Sequence, residues 1–220
     1  MSSSTIRRPI PLLCLILAAG LLLAACATPR QAPLPVGSLK LGLADFTQPL
    51  TASDMLAGYA PEDAAQVDKK VLNEADALFA TVLADKSKNS FRSKESAQHC
   101  VKVVRDQGGR SNNQAALRYW SAVGRCMGVD LLVVPHLYEW RERDGSAIGA
   151  AKPAKVVMDI YVLDVRNEAL ISRSHFDETQ SALSSNLLEA DKFFKRGGKW
   201  ITAHDLAREG MEKAVKELGL

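Results

Sequence analysis

The chain holds 220 residues, with 28 Lys and Arg against 25 Asp and Glu and a formal net charge of +3. A balance this close to neutral excludes a protein built to neutralise a phosphate backbone, so no nucleic-acid partner is expected. The length suits one domain with a full core and is small for two.

The amino-terminal segment reads as a leader. Arg7 and Arg8 carry positive charge, Leu12 to Leu23 form an apolar run, and the small pair Ala24-Ala25 precedes Cys26. That order is the order of a secretory signal, and the apolar run is shorter than the roughly 20 residues that span a bilayer. The run Leu23-Ala24-Ala25-Cys26 resembles the lipobox of bacterial lipoproteins. The resemblance implies removal of residues 1–25 and acyl chains on Cys26, which would hold the protein to a membrane. Pro9, Ile10 and Pro11 fit twin-arginine export poorly, which favours the general secretory route. Ala27 is similar to the outer-membrane sorting class, so the implied address is the outer membrane, with the domain facing the periplasm. Residues 26–36 contain Pro29, Pro33 and Pro35 and no hydrophobic period, as expected of a tether. The folded domain is expected over 37–220.

Leu39, Leu41 and Leu43 alternate with Lys40, Gly42 and Ala44 and predict a first strand. From Pro61 to about Ala84, Val67, Val71, Ala75, Leu78, Phe79 and Val82 recur at helical spacing. A short strand is expected at Asn89 to Phe91. A helix follows over Glu95 to Arg105, stopped at Gly108-Gly109. Ser111 or Asn112 is a cap for the next helix, which repeats Ala116, Tyr119, Trp120, Val123 and Met127 on one side. Val129 to Tyr138 predicts an apolar strand, in which Pro135 implies an edge position or a bulge. Arg141 to Pro153 reads as a polar connection. In the strand Ala154 to Val165, Val156, Met158, Ile160 and Val162 face one way and Asp159 and Tyr161 the other. A turn at Arg166-Asn167 leads to a strand over Ala169 to Phe176. Helices are expected over Leu183 to Phe194 and after the Thr202/Asp205 capping box. The implied fold is α/β (α+β): a single mixed sheet with a C-terminal antiparallel meander, packed by helices.

Cys14 leaves with the leader and Cys26 takes the lipid, so Cys100 and Cys126 remain. In an oxidising compartment they are expected to pair, the alternative being two buried thiols on neighbouring helices. A loop of about 26 residues closed by a disulfide is worth about 3 to 4 kcal/mol in the chain-entropy model.

Catalytic signals are weak. Asp177 and Glu178 are adjacent carboxylates that a strand would point to opposite faces. His99, His136, His175 and His204 lack helical zinc spacing, so no metal is expected. Ser172, Ser174 and His175 have no nucleophile-elbow motif around them. No catalytic residue and no cofactor is assigned. Lys195, Arg196 and Trp200, with Lys192, Lys199, Phe193 and Phe194 around them, form a basic and aromatic group. Together with Asp177 and Glu178 they are the candidate partner contacts, weighed against a solvated helix end.

The segment Val123-Gly124-Arg125-Cys126-Met127-Gly128-Val129-Asp130-Leu131-Leu132-Val133-Val134 runs from a helix through a Gly-x-Asp turn into a buried strand. With the order of elements, it resembles the periplasmic lipoprotein superfamily that includes the curli secretion lipoprotein, the lipoprotein activators of penicillin-binding proteins and exopolysaccharide export lipoproteins. Phe176 to Gln180 and Arg196 to Trp200 are similar to segments of uncharacterised lipoproteins. The resemblance implies an anchored, non-enzymatic scaffold or regulator of a cell-envelope assembly or export complex, with an unidentified envelope protein as partner. Homo-oligomers are a further implication, as in a self-assembling ring, and an envelope hydrolase is the enzymatic alternative. A membrane pore is not expected, because Arg141 to Pro153 lacks the apolar band of a barrel hairpin.

Overall fold

The computed structural model describes residues 39–58, 65–107, 116–180, 194 and 196–220. The leader, Cys26, the tether, the Gly108-Gly109 stop, the Ser111 or Asn112 cap, Lys195 and all but Phe194 of the helix expected over Leu183 to Phe194 lie outside the described residues.

A mixed sheet of five strands organises the domain. Strand β1 (Leu41–Leu43) lies between β2 (Phe91–Arg92) and β3 (Leu131–Arg141), both parallel to it. Strands β6 (Lys155–Asp164) and β7 (Ala169–Thr179) then extend the sheet antiparallel, in the order β2-β1-β3-β6-β7. The C-terminal meander read from the sequence is therefore present. Between β3 and β6 the polar connection is not irregular throughout, because Asp144–Gly145 (β4) and Ala150–Lys152 (β5) pair as a small hairpin.

Among the described residues four helices cover the two faces. Helix α1 (Lys69–Lys86) and helix α4 (Ala203–Leu218) pack on one face, against Val156, Met158, Ile160 and Val162. Helix α2 (Lys94–Asp106) and helix α3 (Ala116–Met127) pack on the other, against Leu132, Val134, Tyr161 and Leu163. Strand alternation sends each set of side chains to its own core, as the sequence pattern predicts. Among the described residues no helix is long and apolar enough to cross a membrane.

Local chemistry explains the element ends. Thr202 Oγ1 accepts from the Asp205 backbone N–H at 3.1 Å, and the Asp205 carboxylate reaches back to Thr202, which closes the expected capping box of α4. Helix α1 begins at Lys69, later than Pro61, because Asp68 caps it by accepting from Lys70 N at 2.6 Å. The preceding residue is also held away from helical pairing, since Val67 N donates to the Gln48 side chain at 2.8 Å. Strand β7 runs on to Thr179, beyond the expected Phe176, because Lys155 pairs with Thr179 and Gln180 N still donates to Ala154 O.

Of the two alternatives read for Pro135, the edge position is corrected and a bulge is found. Pro135 sits in β3, the central strand of the sheet and not an edge. Its neighbours show why the lost donor is tolerated. Leu43 pairs with Val133 and Thr47 bridges His136, so the 43–47 segment spends one more residue than β3 over the same stretch. The missing Pro135 N–H faces that irregular step, while its carbonyl still accepts from Thr47 N at 3.2 Å. The bulge lies in the partner segment.

Cys100 on α2 and Cys126 on α3 form a disulfide, with Cα atoms 5.6 Å apart. Close backbone approach elsewhere depends on glycine. A Cβ on Gly210 of α4 would lie 2.4 Å from Met158 Cε and 2.7 Å from the Phe176 ring.

Candidate functional site

Helices α2 and α3 leave the outer end of their sheet face to a buried polar network, and one loop closes over it. Asp159 on β6 is fully buried, and register places it opposite His175, with Tyr161 opposite Arg173. Its Oδ1 accepts from Arg173 Nε at 2.9 Å and contacts His175 Nδ1 at 2.8 Å. Its Oδ2 accepts from Arg173 Nη2 and from the Tyr161 hydroxyl, each at 2.9 Å. The Arg173 fork therefore grips both carboxylate oxygens, the strong bidentate geometry of a guanidinium on a carboxylate. Burial alone would favour the neutral acid. The hydrogen bonds from Arg173, His175 and Tyr161 outweigh it and hold the Asp159 carboxyl below its ordinary range.

The two tyrosines extend this network to the loop. Tyr161 Oη lies 3.2 Å from Tyr138 Oη and 2.8 Å from Ala57 O. A phenol has one proton, so Tyr161 divides it between Asp159 and Ala57 while Tyr138 can donate to Tyr161. Burial pushes both hydroxyls above the ordinary tyrosine range. The His136 ring packs edge-on against Tyr161, with centroids 5.2 Å apart.

Ala57 belongs to the connection from β1 to α1. Gln48 ties the two ends of that connection together, donating to Ala65 O at 2.9 Å and accepting from Val67 N at 2.8 Å. Gln48 thus joins the start of the connection to its end. The far part of the connection is positioned by Tyr161 and by packing of Leu56 and Ala57 on the α2/α3 core.

Asp159 and His175 share the geometry of the acid and base in nucleophilic catalysis, but the nearby serines do not complete it. Alternation puts Ser172 and Ser174 on the opposite face, where Ser174 Oγ donates to Glu217 Oε2 at 2.6 Å. Among the described residues no group of three or more His, Cys, Asp and Glu could hold a metal ion.

The partner-contact candidates are only partly brought together. Arg196 is engaged within the chain: its side chain is 8% exposed and bonds Glu209 Oε2 at 2.6 Å and Glu178 Oε1 at 3.3 Å. Burial would lower its pKa, but Glu209 and Glu178 reverse that and raise it. Trp200 is half-buried; its backbone N–H donates to Ala147 O, and its carbonyl accepts from Arg143 Nη1. Buried Gln180 staples the same segment, donating to Lys199 O at 2.7 Å and accepting from Ile201 N at 2.8 Å. Asp177 is exposed on the face opposite Glu178. Between β7 and α4 runs a groove of about 700 Å³ whose walls include Phe176, Arg196, Ile201 and Lys213.

Sequence reading placed Asp159 and Tyr161 on one face of β6 and left His175 among scattered histidines. The grouping with Arg173 depends on the β6–β7 register, which periodicity along one strand does not carry.

No family model matches the chain, and no curated protein sequence matches it. Among solved structures it is similar to the PelC dodecamer from Paraburkholderia phytofirmans, at 14% identity over 81% of this chain and 86% of that one, with a TM-score of 0.42. It is also similar to the LpoB C-terminal domain from Salmonella enterica, at 11% identity over 73% of this chain and 92% of that one, TM-score 0.36. A third is lipoprotein GNA1162 from Neisseria meningitidis, at 11% identity over 72% and 98%, TM-score 0.36.

Proposed function

We propose that the chain is an outer-membrane lipoprotein, anchored through acyl chains on Cys26, whose periplasmic domain is a non-enzymatic scaffold or regulator of a cell-envelope assembly or export complex. The leader ending in Leu23-Ala24-Ala25-Cys26 carries this reading, because it gives the domain an address at a membrane surface. Several acyl chains hold a protein firmly where one holds it marginally, so the domain would work within reach of its tether. The fold supports a binding role: Asp159, Arg173 and Tyr161 spend their polar groups on one another and on Ala57 O, and no serine of β7 shares their face. Lys195, Trp200 and Asp177 remain the proposed contact residues for an envelope partner.

Fractionation tests the anchor, since Cys26→Ala should move the protein from the membrane to the soluble envelope fraction. Crosslinking of intact cells, capture of the tagged lipoprotein and identification of its companions test the role. Reproducible recovery of a cell-wall synthase or an export component is the expected result. Unchanged membrane retention of Cys26→Ala would sink the anchor, and capture of no envelope component would sink the scaffold.

A further inference from the structure

We propose that the crevice at the carboxyl ends of β1 and β2 is a binding site for a small monocarboxylate with a compact apolar body, its carboxylate held between Lys69 of α1 and Arg105 of α2. The site goes beyond the scaffold reading and depends neither on the lipid anchor nor on an envelope partner.

Topology opens the crevice. Strands β1 and β2 are parallel neighbours, yet the chain leaves β1 for α1 on one face of the sheet and leaves β2 for α2 on the other. Connections that part in this way leave a gap outside the strand ends, which is where open α/β sheets take their ligands. A cavity of about 500 Å³ lies there. Its walls come from Asp45 to Thr47, which follow β1, from α1 and α2, and from the start of α3. Phe46, Leu72, Val101 and Trp120 supply apolar surface among a few polar groups, the mixture usual for small-molecule sites.

The polar groups fall into two sets, one satisfied and one open. Asp76 Oδ1 accepts from Phe46 N at 2.6 Å, and its Oδ2 from Lys94 Nζ at 3.1 Å. Asp45 Oδ2 accepts from Gln98 Nε2 at 2.8 Å, with Lys94 Nζ 3.5 Å from its Oδ1. A cationic ligand would therefore have to displace Lys94 from carboxylates that are already paired. Lys69 and Arg105 also line the cavity, and neither side chain has a hydrogen bond or ion pair among the described residues. With Lys94 counted, three cations stand against two carboxylates around the cavity. One surplus positive charge matches a singly charged anion, and a guanidinium fork matches a carboxylate in shape. The apolar walls select a ligand whose remainder is apolar, because contact there releases water from both surfaces.

Titration of the purified full chain with phenylpropionate, followed by backbone amide NMR shifts, tests the site. Phenylpropanol and phenylpropylamine carry the same ring on a neutral and a cationic head. The acid should give saturable shifts along Lys69 to Asp76 and Ala97 to Arg105, and should bind about tenfold more tightly than either counterpart. Arg105→Gln should weaken its binding about tenfold and Lys69→Gln by a smaller factor. Lys102→Gln, which removes an exposed cation of α2 outside the cavity, should leave binding unchanged. A Tm near that of the unsubstituted protein shows each variant folded. Equal binding of the three probes would overturn the proposal, as would no saturable shift along α1 and α2. So would acid binding that Arg105→Gln weakens no more than Lys102→Gln does.

Discussion

On the α1/α4 face, two helices whose buried residues are all apolar or glycine cover the sheet, and the packing is continuous. On the α2/α3 face the helices reach Tyr161, and beyond it the cover is finished by Asp159, Arg173, His175 and the loop closed by Gln48. A hydrophobic face tolerates small shifts, because contact area changes gradually. A buried charge network does not, since removing one member strands the others without water. The second face is therefore where single substitutions should have the sharper effect.

Asp159→Asn is the strongest way to test that contrast. It leaves the Arg173 guanidinium facing a neutral amide and should cost about 3 to 5 kcal/mol in urea denaturation. Leu206→Ala on the other face should cost about 2 to 5 kcal/mol by leaving a cavity. If Asp159→Asn costs under about 1 kcal/mol, the network is not what closes the second face. The sign of its pH dependence is fixed. The folded Asp159 carboxyl sits below its unfolded value, so its contribution is present above about pH 4 and is lost as pH falls through the folded pKa. Acid unfolding should therefore be shallower in Asp159→Asn. Asp76 contributes with the opposite sign: burial raises its pKa, so its protonated form is favoured by folding.

Next in size is the Cys100–Cys126 bridge, which joins the two helices of the second face. Replacing both cysteines by serine should cost about 2 to 4 kcal/mol, read as a drop in the urea midpoint that reductant produces in the unsubstituted protein and not in the variant. On the first face, Gly210→Ala tests how tightly α4 lies on the sheet. A helical alanine gains about 1 kcal/mol over glycine, but the new methyl must displace Met158 Cε and the Phe176 ring. The methionine end moves easily and the ring less so, so a net loss of about 1 kcal/mol is expected. A stabilised variant would show that this face is looser than its contacts imply.

The contrast also governs what was legible beforehand. The buried residues of α4, from Ala203 to Leu218, follow a helical period that is visible in the chain, and the Thr202/Asp205 cap marks its start. The meander and the two faces of β6 were legible for the same reason. For Pro135 the edge alternative fails and the bulge stands, but in the partner segment Leu43 to Thr47, some 90 residues away in sequence, where a local rule cannot place it. Arg196 looked like a surface charge, yet it is turned inward by Glu178 and Glu209, partners that no spacing rule connects. The polar network was illegible because Asp159, Arg173 and His175 meet only through strand register, and Ala57 only through a loop fold.

Tyr161→Phe gives the most selective of the expected effects. The change keeps the ring that packs on His136 and removes only the hydroxyl shared among Asp159, Tyr138 and Ala57. Asp159 would retain both Arg173 bonds and the His175 contact, so global stability should fall by about 1 to 2 kcal/mol, less than for Asp159→Asn. The loop loses its bond at Ala57 but keeps the Gln48 closure at its base. Hydrogen exchange should therefore quicken around Leu56 to Gly58 while the β6–β7 ladder keeps its protection. Equal loss of protection in the loop and the ladder would mean that the tyrosine supports the whole face, and the loop would then be part of the core instead of a strap laid over it.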